Sequence, residues 1–325
     1  MIRAAALAGL VPLLLTGQGS ARDLILNPPM ACDLTGPCFI QQYMDRDEGP
    51  GAADFTCNLL SNNDHSGTDF ALPSLAMMAA GVAVVAAAPG SVKGARDGMA
   101  DVDQSAAGAP DVSGKECGNG VLVDHGGGWE TQYCHMKQGS VAVEIGDRVR
   151  TGTVLGQVGM SGAAQFPHLH LSVRHDGQNI DPFHPDPTIT CGEPAPLQLW
   201  QEPIAYRPGG LINAGFSADI PTFDAVKSGL LDTPALPTAS PALVVWAHLF
   251  GSRAGDVVEI SITGPEGAIL DQKIPLDKPQ ARLFRAAGKR APANGWPAGR
   301  YQGTARLLRG GEVIDQQAVD VILTP

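Results

Sequence analysis

Short stretches in which apolar and polar residues alternate, cut every few positions by glycine or proline, run through the whole chain. Phe166-Pro167-His168-Leu169-His170-Leu171-Ser172-Val173 follows a period of two and predicts a strand over His168 to Arg174. Gly81 to Ala88, Val121 to His125, Trp129 to His135 and Val154 to Gly159 read the same way, with Gly126-Gly127-Gly128 turning a hairpin between the second and third of these. Met77, Met78 and their flanking alanines predict a single helical turn that packs into the core. Past Cys191 come Leu243 to Phe250, Val257 to Ile262, Tyr301 to Leu308 and Val313 to Leu323. In the second of these runs Val258, Ile260 and Ile262 share one face while Glu259 and Ser261 share the other, as in a sheet covered on one side. The pattern predicts a mostly β chain in two parts: an antiparallel β domain over residues 61–190 and a β-sandwich, immunoglobulin-like, over 191–325. Residues 22–60 read as an irregular approach wrapping the first part, and Asp232 to Pro241 as a long connection inside the second.

In a strand, residues two apart face the same side, so His168 and His170 project into one space. Catalytic zinc takes three protein ligands, from imidazole nitrogen or carboxylate oxygen, and keeps a fourth position for water. His65 and Asp69, four residues apart in His65-Ser66-Gly67-Thr68-Asp69, complete that set with His170. His168, and His135 from Tyr133-Cys134-His135, then stand beside the metal without binding it, able to take and return protons because imidazole titrates near neutral pH. His-x-His or His-x-x-x-Asp alone is usually structural; the two in this order with Tyr-x-His between them carry the metal reading. The chain has no Cys-x-x-Cys spacing, which argues against cysteine ligands.

Further text extends the pattern: Ala88-Pro89-Gly90-Ser91-Val92, Gly118-Asn119-Gly120-Val121-Leu122-Val123-Asp124-His125-Gly126, Gly146-Asp147-Arg148-Val149 and Gly156-Gln157-Val158-Gly159. With these, residues 61–183 resemble the lysostaphin-type (LytM-like) zinc endopeptidases of bacterial cell walls. The resemblance implies a LytM-like antiparallel β catalytic domain, zinc held by His65, Asp69 and His170, His135 and His168 as catalytic histidines, and the peptide part of peptidoglycan as substrate. Relatives that lack these residues serve as regulators without hydrolytic activity, so a non-hydrolytic module acting on another cell-wall hydrolase is the rival reading. A secreted lytic protease is a third, with the same chemistry. The chain departs from the family pattern in three places. Gln165-Phe166 replaces small residues before Pro-His-Leu-His, the stretch from Lys93 to Glu116 is long enough to overhang a groove, and Cys117 and Cys134 stand where cysteine is uncommon.

Composition narrows the partners. The chain has 325 residues, 40 of them glycine and 26 proline, with only 17% charged, which suits turn-rich β structure in two domains. A net charge of −11 without a basic stripe excludes nucleic acid and disfavours anionic membranes. Residues 1–21 read as an export signal, with Arg3 ahead of apolar Ala4 to Leu15 and small residues at Gly19-Ser20-Ala21. That predicts a periplasmic or secreted protein beginning near Arg22. In such a protein six cysteines favour disulfides. The hairpin register brings Cys117 roughly opposite Cys134, which predicts that pair; of the fifteen pairings that six cysteines admit, one then has Cys32 with Cys38 closing a small loop and leaves Cys57 and Cys191 to tie the first domain's ends. His125 is expected to steady the hairpin turn, and His175, His184 and His248 to be ordinary residues. The second domain carries no motif, and a carbohydrate ligand, a protein ligand and a structural role stay open for it.

Overall fold

The computed structural model describes residues 24–186, 191–192, 198–231 and 233–325; the expected export signal over residues 1–21 lies outside them, as does Asp232. Among the described residues the first half contains β1 (Phe39–Gln42), β2 (Thr68–Ala71), α1 (Leu75–Ala80), β3 (Ala83–Val85), β4 (Gly90–Arg96), β5 (Asn119–Gly126), β6 (Trp129–Met136), β7 (Arg148–Val149), β8 (Val154–Gln157), β9 (His168–His175) and β10 (Gln178–Ile180). Seven of these strands follow the order β1-β2-β9-β6-β5-β4-β7 in one antiparallel sheet that β10 joins through β9, and β3 pairs with β8 separately. Period-two alternation divides the large sheet into two faces. Phe70, Val121, Val123, Tyr133, Leu169, Leu171 and Val173 are buried in a core with Val84 and Leu155 of the small sheet. The opposite face carries Asp69, Cys134 and His170 side by side, because Asp69 pairs with His170 across β2 and β9 and Cys134 pairs with His170 across β6 and β9.

The hairpin and strand expectations hold, with three corrections. Phe39–Gln42, inside the stretch expected to be irregular, is an edge strand paired with β2 and buried along its whole length. Only Ala83–Val85 of the Gly81–Ala88 run forms a strand, since Gly81 at φ 89° caps α1, its N–H donating to the carbonyls of Met77 and Met78. Lys93 to Arg96 belongs to β4, so the overhanging stretch is shorter than the text suggests.

The second half contains β11 (Gly210–Ser217), α2 (Phe223–Ser228), β12 (Ala235–Pro237), β13 (Ala242–Ser252), β14 (Val257–Gly264), β15 (Gly267–Pro275), β16 (Gln280–Arg290), β17 (Gly299–Arg309) and β18 (Glu312–Thr324). A sheet ordered β11-β13-β16 faces one ordered β12-β18-β17-β14-β15, giving the expected β-sandwich. Leu243, Val245, Ala247 and Leu249 from the first sheet meet Val258, Ile260, Ile262, Tyr301 and Leu307 from the second in one core. The segment expected to be a plain connection contains β12, which pairs in parallel with Ile322–Thr324.

The two halves are joined by apolar contact: Phe39 and Ala71 pack with Ile212 and Phe250, and Phe166 closes the group. All six cysteines are paired, as Cys32–Cys38, Cys57–Cys191 and Cys117–Cys134.

One buried acid sets a pH dependence. Burial pushes the Asp181 carboxyl up to about 7, against the opposing pull of the Phe183 N–H and of Arg46. The folded chain therefore holds a proton that the unfolded chain releases near pH 4, and stability falls as pH rises through the interval up to about 7. Between pH 5 and 8 the loss from this group is about 2–3 kcal/mol. Urea denaturation of Asp181→Asn is expected to show a smaller difference between those two pH values than the parent.

Candidate metal centre

The site begins with backbone pairing. β2 and β9 lie side by side with Asp69 opposite His170, and His65 reaches the same place from the loop entering β2. Gly67 lets that loop lie flat on β9, since a Cβ there would come within 2.4 Å of the Leu171 carbonyl oxygen and 2.7 Å of His170 Nε2. One ligand atom from each of His65, Asp69 and His170 falls within 4.8 Å of the others. The Asp69 oxygen Oδ1 is the hub, 3.1 Å from His65 Nε2, 2.9 Å from His170 Nδ1 and 3.6 Å from His168 Nε2.

Hydrogen bonds on the far side of each ring fix what the near side offers. His65 Nδ1 lies 2.7 Å from the Tyr43 carbonyl, which can only accept, so Nδ1 carries the proton and Nε2 turns a lone pair toward the Asp69 carboxylate. Two lone pairs facing each other at that distance require positive charge between them. Burial works against a charged His65, but the Asp69 carboxylate overrides it and raises the imidazole to about 9; a divalent cation meets the same demand with two charges. His170 Nε2 sits 3.0 Å from the Ser172 hydroxyl, which donates or accepts and so leaves Nδ1 free to serve as a ligand. Asp69 is buried, which would raise its pKa, yet His65, His168 and its hydrogen bonds hold it well below the ordinary carboxylate range. Two imidazole nitrogens and an ionised carboxylate, each ring oriented by a second hydrogen bond, are the donor set of a three-ligand zinc site. The residues fit the ion.

His135 and His168 stand beside this group with ring centroids 4.6 Å apart. His135 Nδ1 donates to the Ser161 carbonyl at 2.7 Å and His168 Nδ1 to the Phe166 carbonyl at 2.8 Å. Both rings therefore turn an unprotonated Nε2 away from these anchors. Burial, with neighbouring histidines adding to it, lowers His135 well below the usual imidazole range, and burial likewise lowers His168. His135 has φ 61°, a left-handed conformation uncommon outside glycine and enriched at functional sites. Its N–H donates to the Cys117 carbonyl, its carbonyl accepts from Gly159, and Cys134 just before it is bonded to Cys117.

All five residues line one cleft of about 540 Å³. Gln165 and Phe166 line it too, and the Phe166 ring stacks on His168 at 4.4 Å. From the long stretch before β5, Glu116 and Cys117 reach the cleft. His125 is no part of it; its ring bridges the Pro89 carbonyl and the Thr131 hydroxyl, tying the hairpin to the preceding loop. His175 stacks on Trp129, and His184 and His248 are buried elsewhere. Two further lining residues, Ser172 and Arg174, continue the period of two begun by His168 and His170 and were legible on that ground. Ala281 lines the cleft from the sandwich, and no local sequence signal announces it.

The family model for peptidase family M23 matches residues 63–182. Those residues are an M23 domain. All five site residues fall inside it. Among curated relatives, the DD-carboxypeptidase/endopeptidase Mpg of Neisseria meningitidis serogroup B is 32% identical over 136 residues, 40% of this chain and 25% of that protein. The cell division protein DipM of Caulobacter vibrioides is 38% identical over 73 residues, 22% of this chain and 12% of that one. The chain thus matches about a quarter or less of the length of these relatives. Solved structures similar to it include a putative peptidase M23 from Pseudomonas aeruginosa, at 26% identity over 50% of each chain with a TM-score of 0.30. The catalytic domain of lysostaphin from Staphylococcus simulans is 23% identical, covering 37% of this chain and 76% of that one with a TM-score of 0.27. The M23 match stops before β11, and the sandwich lies outside it.

Proposed function

We propose that the protein is an exported zinc metalloendopeptidase that hydrolyses amide bonds in peptidoglycan stem peptides or cross-bridges. The observation that carries this reading is the convergence of His65, Asp69 and His170 on one point, with two further imidazoles turned to the same cleft. In it His65, Asp69 and His170 hold zinc, which when bound makes hydroxide available near neutral pH and polarises the scissile carbonyl. His135 and His168 are the catalytic pair. Each has its Nδ1 proton committed to a backbone carbonyl, so Nε2 is the atom through which the pair takes the water proton, returns it to the departing amine and, once protonated, steadies the tetrahedral oxyanion. Buried Asp69 balances the positive charge of the site. The M23 family match and the named peptidase among the relatives support the reaction class. Completeness of the five-residue set weighs against a non-hydrolytic regulator.

Three disulfides suit an oxidising compartment, which favours a periplasmic or secreted location. Among the described residues no helix is long and apolar enough to cross a membrane.

Digestion of purified sacculi by the mature chain is expected to release new amine termini detectable by mass spectrometry. Chelation should abolish their release and one equivalent of zinc restore it. Release that persists at full rate after the metal has been removed counts against the reading.

A further inference from the structure

We propose that the C-terminal sandwich forms one wall of the substrate cleft, and that the seam between the two halves is a subsite for an extended peptide bearing a free carboxylate. The proposal rests on the peptidase reading and adds to it where the rest of the substrate lies.

Ala281, near the start of β16, is exposed and lines the same cleft as the five site residues. Its carbonyl accepts a hydrogen bond from Gln41 Nε2 at 2.7 Å, so this part of the sandwich is fastened to the edge strand β1 of the first half. The cleft does not end there. An adjoining cavity of about 310 Å³ shares Gln42, Asn62 and Ala281 with it and continues along the seam past Ser252, Arg253 and Gln280. Each of the two spaces is of ligand-binding size, and together they make a groove leading away from the metal centre.

The wall is held by aromatic contacts. Phe39 and Phe250 meet across the seam with centroids 4.5 Å apart, and the Arg282 guanidinium sits 4.7 Å from the centre of the Phe166 ring that stacks on His168. A partner fastened in this way shapes the groove as a fixed surface.

Charge selects the ligand. In a chain of net charge −11, Arg253 and Arg282 border this seam and neither forms an ion pair among the described residues. A half-buried guanidinium without a carboxylate has lost part of its hydration and kept its fork of donors, the arrangement that binds a carboxylate bidentately. A peptide cut at the zinc site and carrying a free carboxylate a few residues away would place it there.

The test measures binding as well as cleavage, by calorimetry on the full zinc-loaded chain with a soluble cross-linked muropeptide and with the same peptide carrying carboxamides in place of its carboxylates. Ala281→Trp, at an exposed position, is expected to weaken binding of the acid peptide at least about tenfold with no change in melting temperature. Ala281→Glu, smaller and repelling the carboxylates, should give a loss of the same order. Arg253→Gln should weaken the acid peptide by about tenfold and leave the carboxamide peptide unaffected. Unchanged affinity in both Ala281 variants, or equal losses for acid and carboxamide in Arg253→Gln, overturns the proposal. Binding that responds as expected in a parent protein that cleaves nothing overturns the peptidase reading and leaves the subsite standing; a parent that binds neither peptide overturns the subsite.

Discussion

His170→Ala is expected to lose its zinc and to release amines from sacculi at no more than about one-thousandth of the parent rate. A three-ligand site reduced to one imidazole and one carboxylate leaves the ion mostly to water, and without it the reaction falls back on general-base assistance worth a factor of about 100 to 10,000. The fold should survive, because His170 is half-buried on the polar face of β9 and contributes nothing to the apolar core behind it. Metal analysis by mass spectrometry, beside a melting curve, reads out the two effects separately. A folded variant that keeps a full equivalent of zinc would refute the ligand assignment.

Opening the Cys117–Cys134 bond by a double change to serine should cost about 3 kcal/mol of stability, the loop-closure value for a bridge of this span, whose cysteines are 17 positions apart. The larger consequence is expected at His135. This residue keeps a left-handed backbone next to Cys134, with its N–H held by the Cys117 carbonyl. Once the bridge is gone, the strain that the surroundings impose can relax through rotation of His135, taking Nε2 out of line. The expected result is a fall in kcat of at least about tenfold with little change in KM, measured on a soluble peptide below the variant's melting temperature. If kcat holds while stability drops, the bridge is a fold staple without influence on the histidine.

Much of this was legible in the linear text, for identifiable reasons. His168 and His170 declare a shared face because strand geometry leaves no choice at a spacing of two. The hairpin turn at Gly126-Gly127-Gly128 brings the two cysteines only near each other: its register sets Val121 opposite Tyr133, and Cys117 reaches Cys134 from the turn before β5. Phe39-Ile40-Gln41-Gln42 was not readable as a strand: all four residues are buried, so no apolar-polar alternation marks it. β15 and β16 escaped for the opposite reason, with long stretches half-buried or exposed and charged residues scattered along them. The seam was invisible because it joins Gln41 to Ala281, 240 positions apart, through a hydrogen bond that no local pattern encodes.

The register that sets Asp69 opposite His170 also ties the proposed metal site to correct strand pairing. Sliding β2 by a single position along β9 would turn Asp69 inward and leave the histidines without their anion. On the proposed zinc reading, metal binding then depends on the pairing of these two strands and in turn stabilises it.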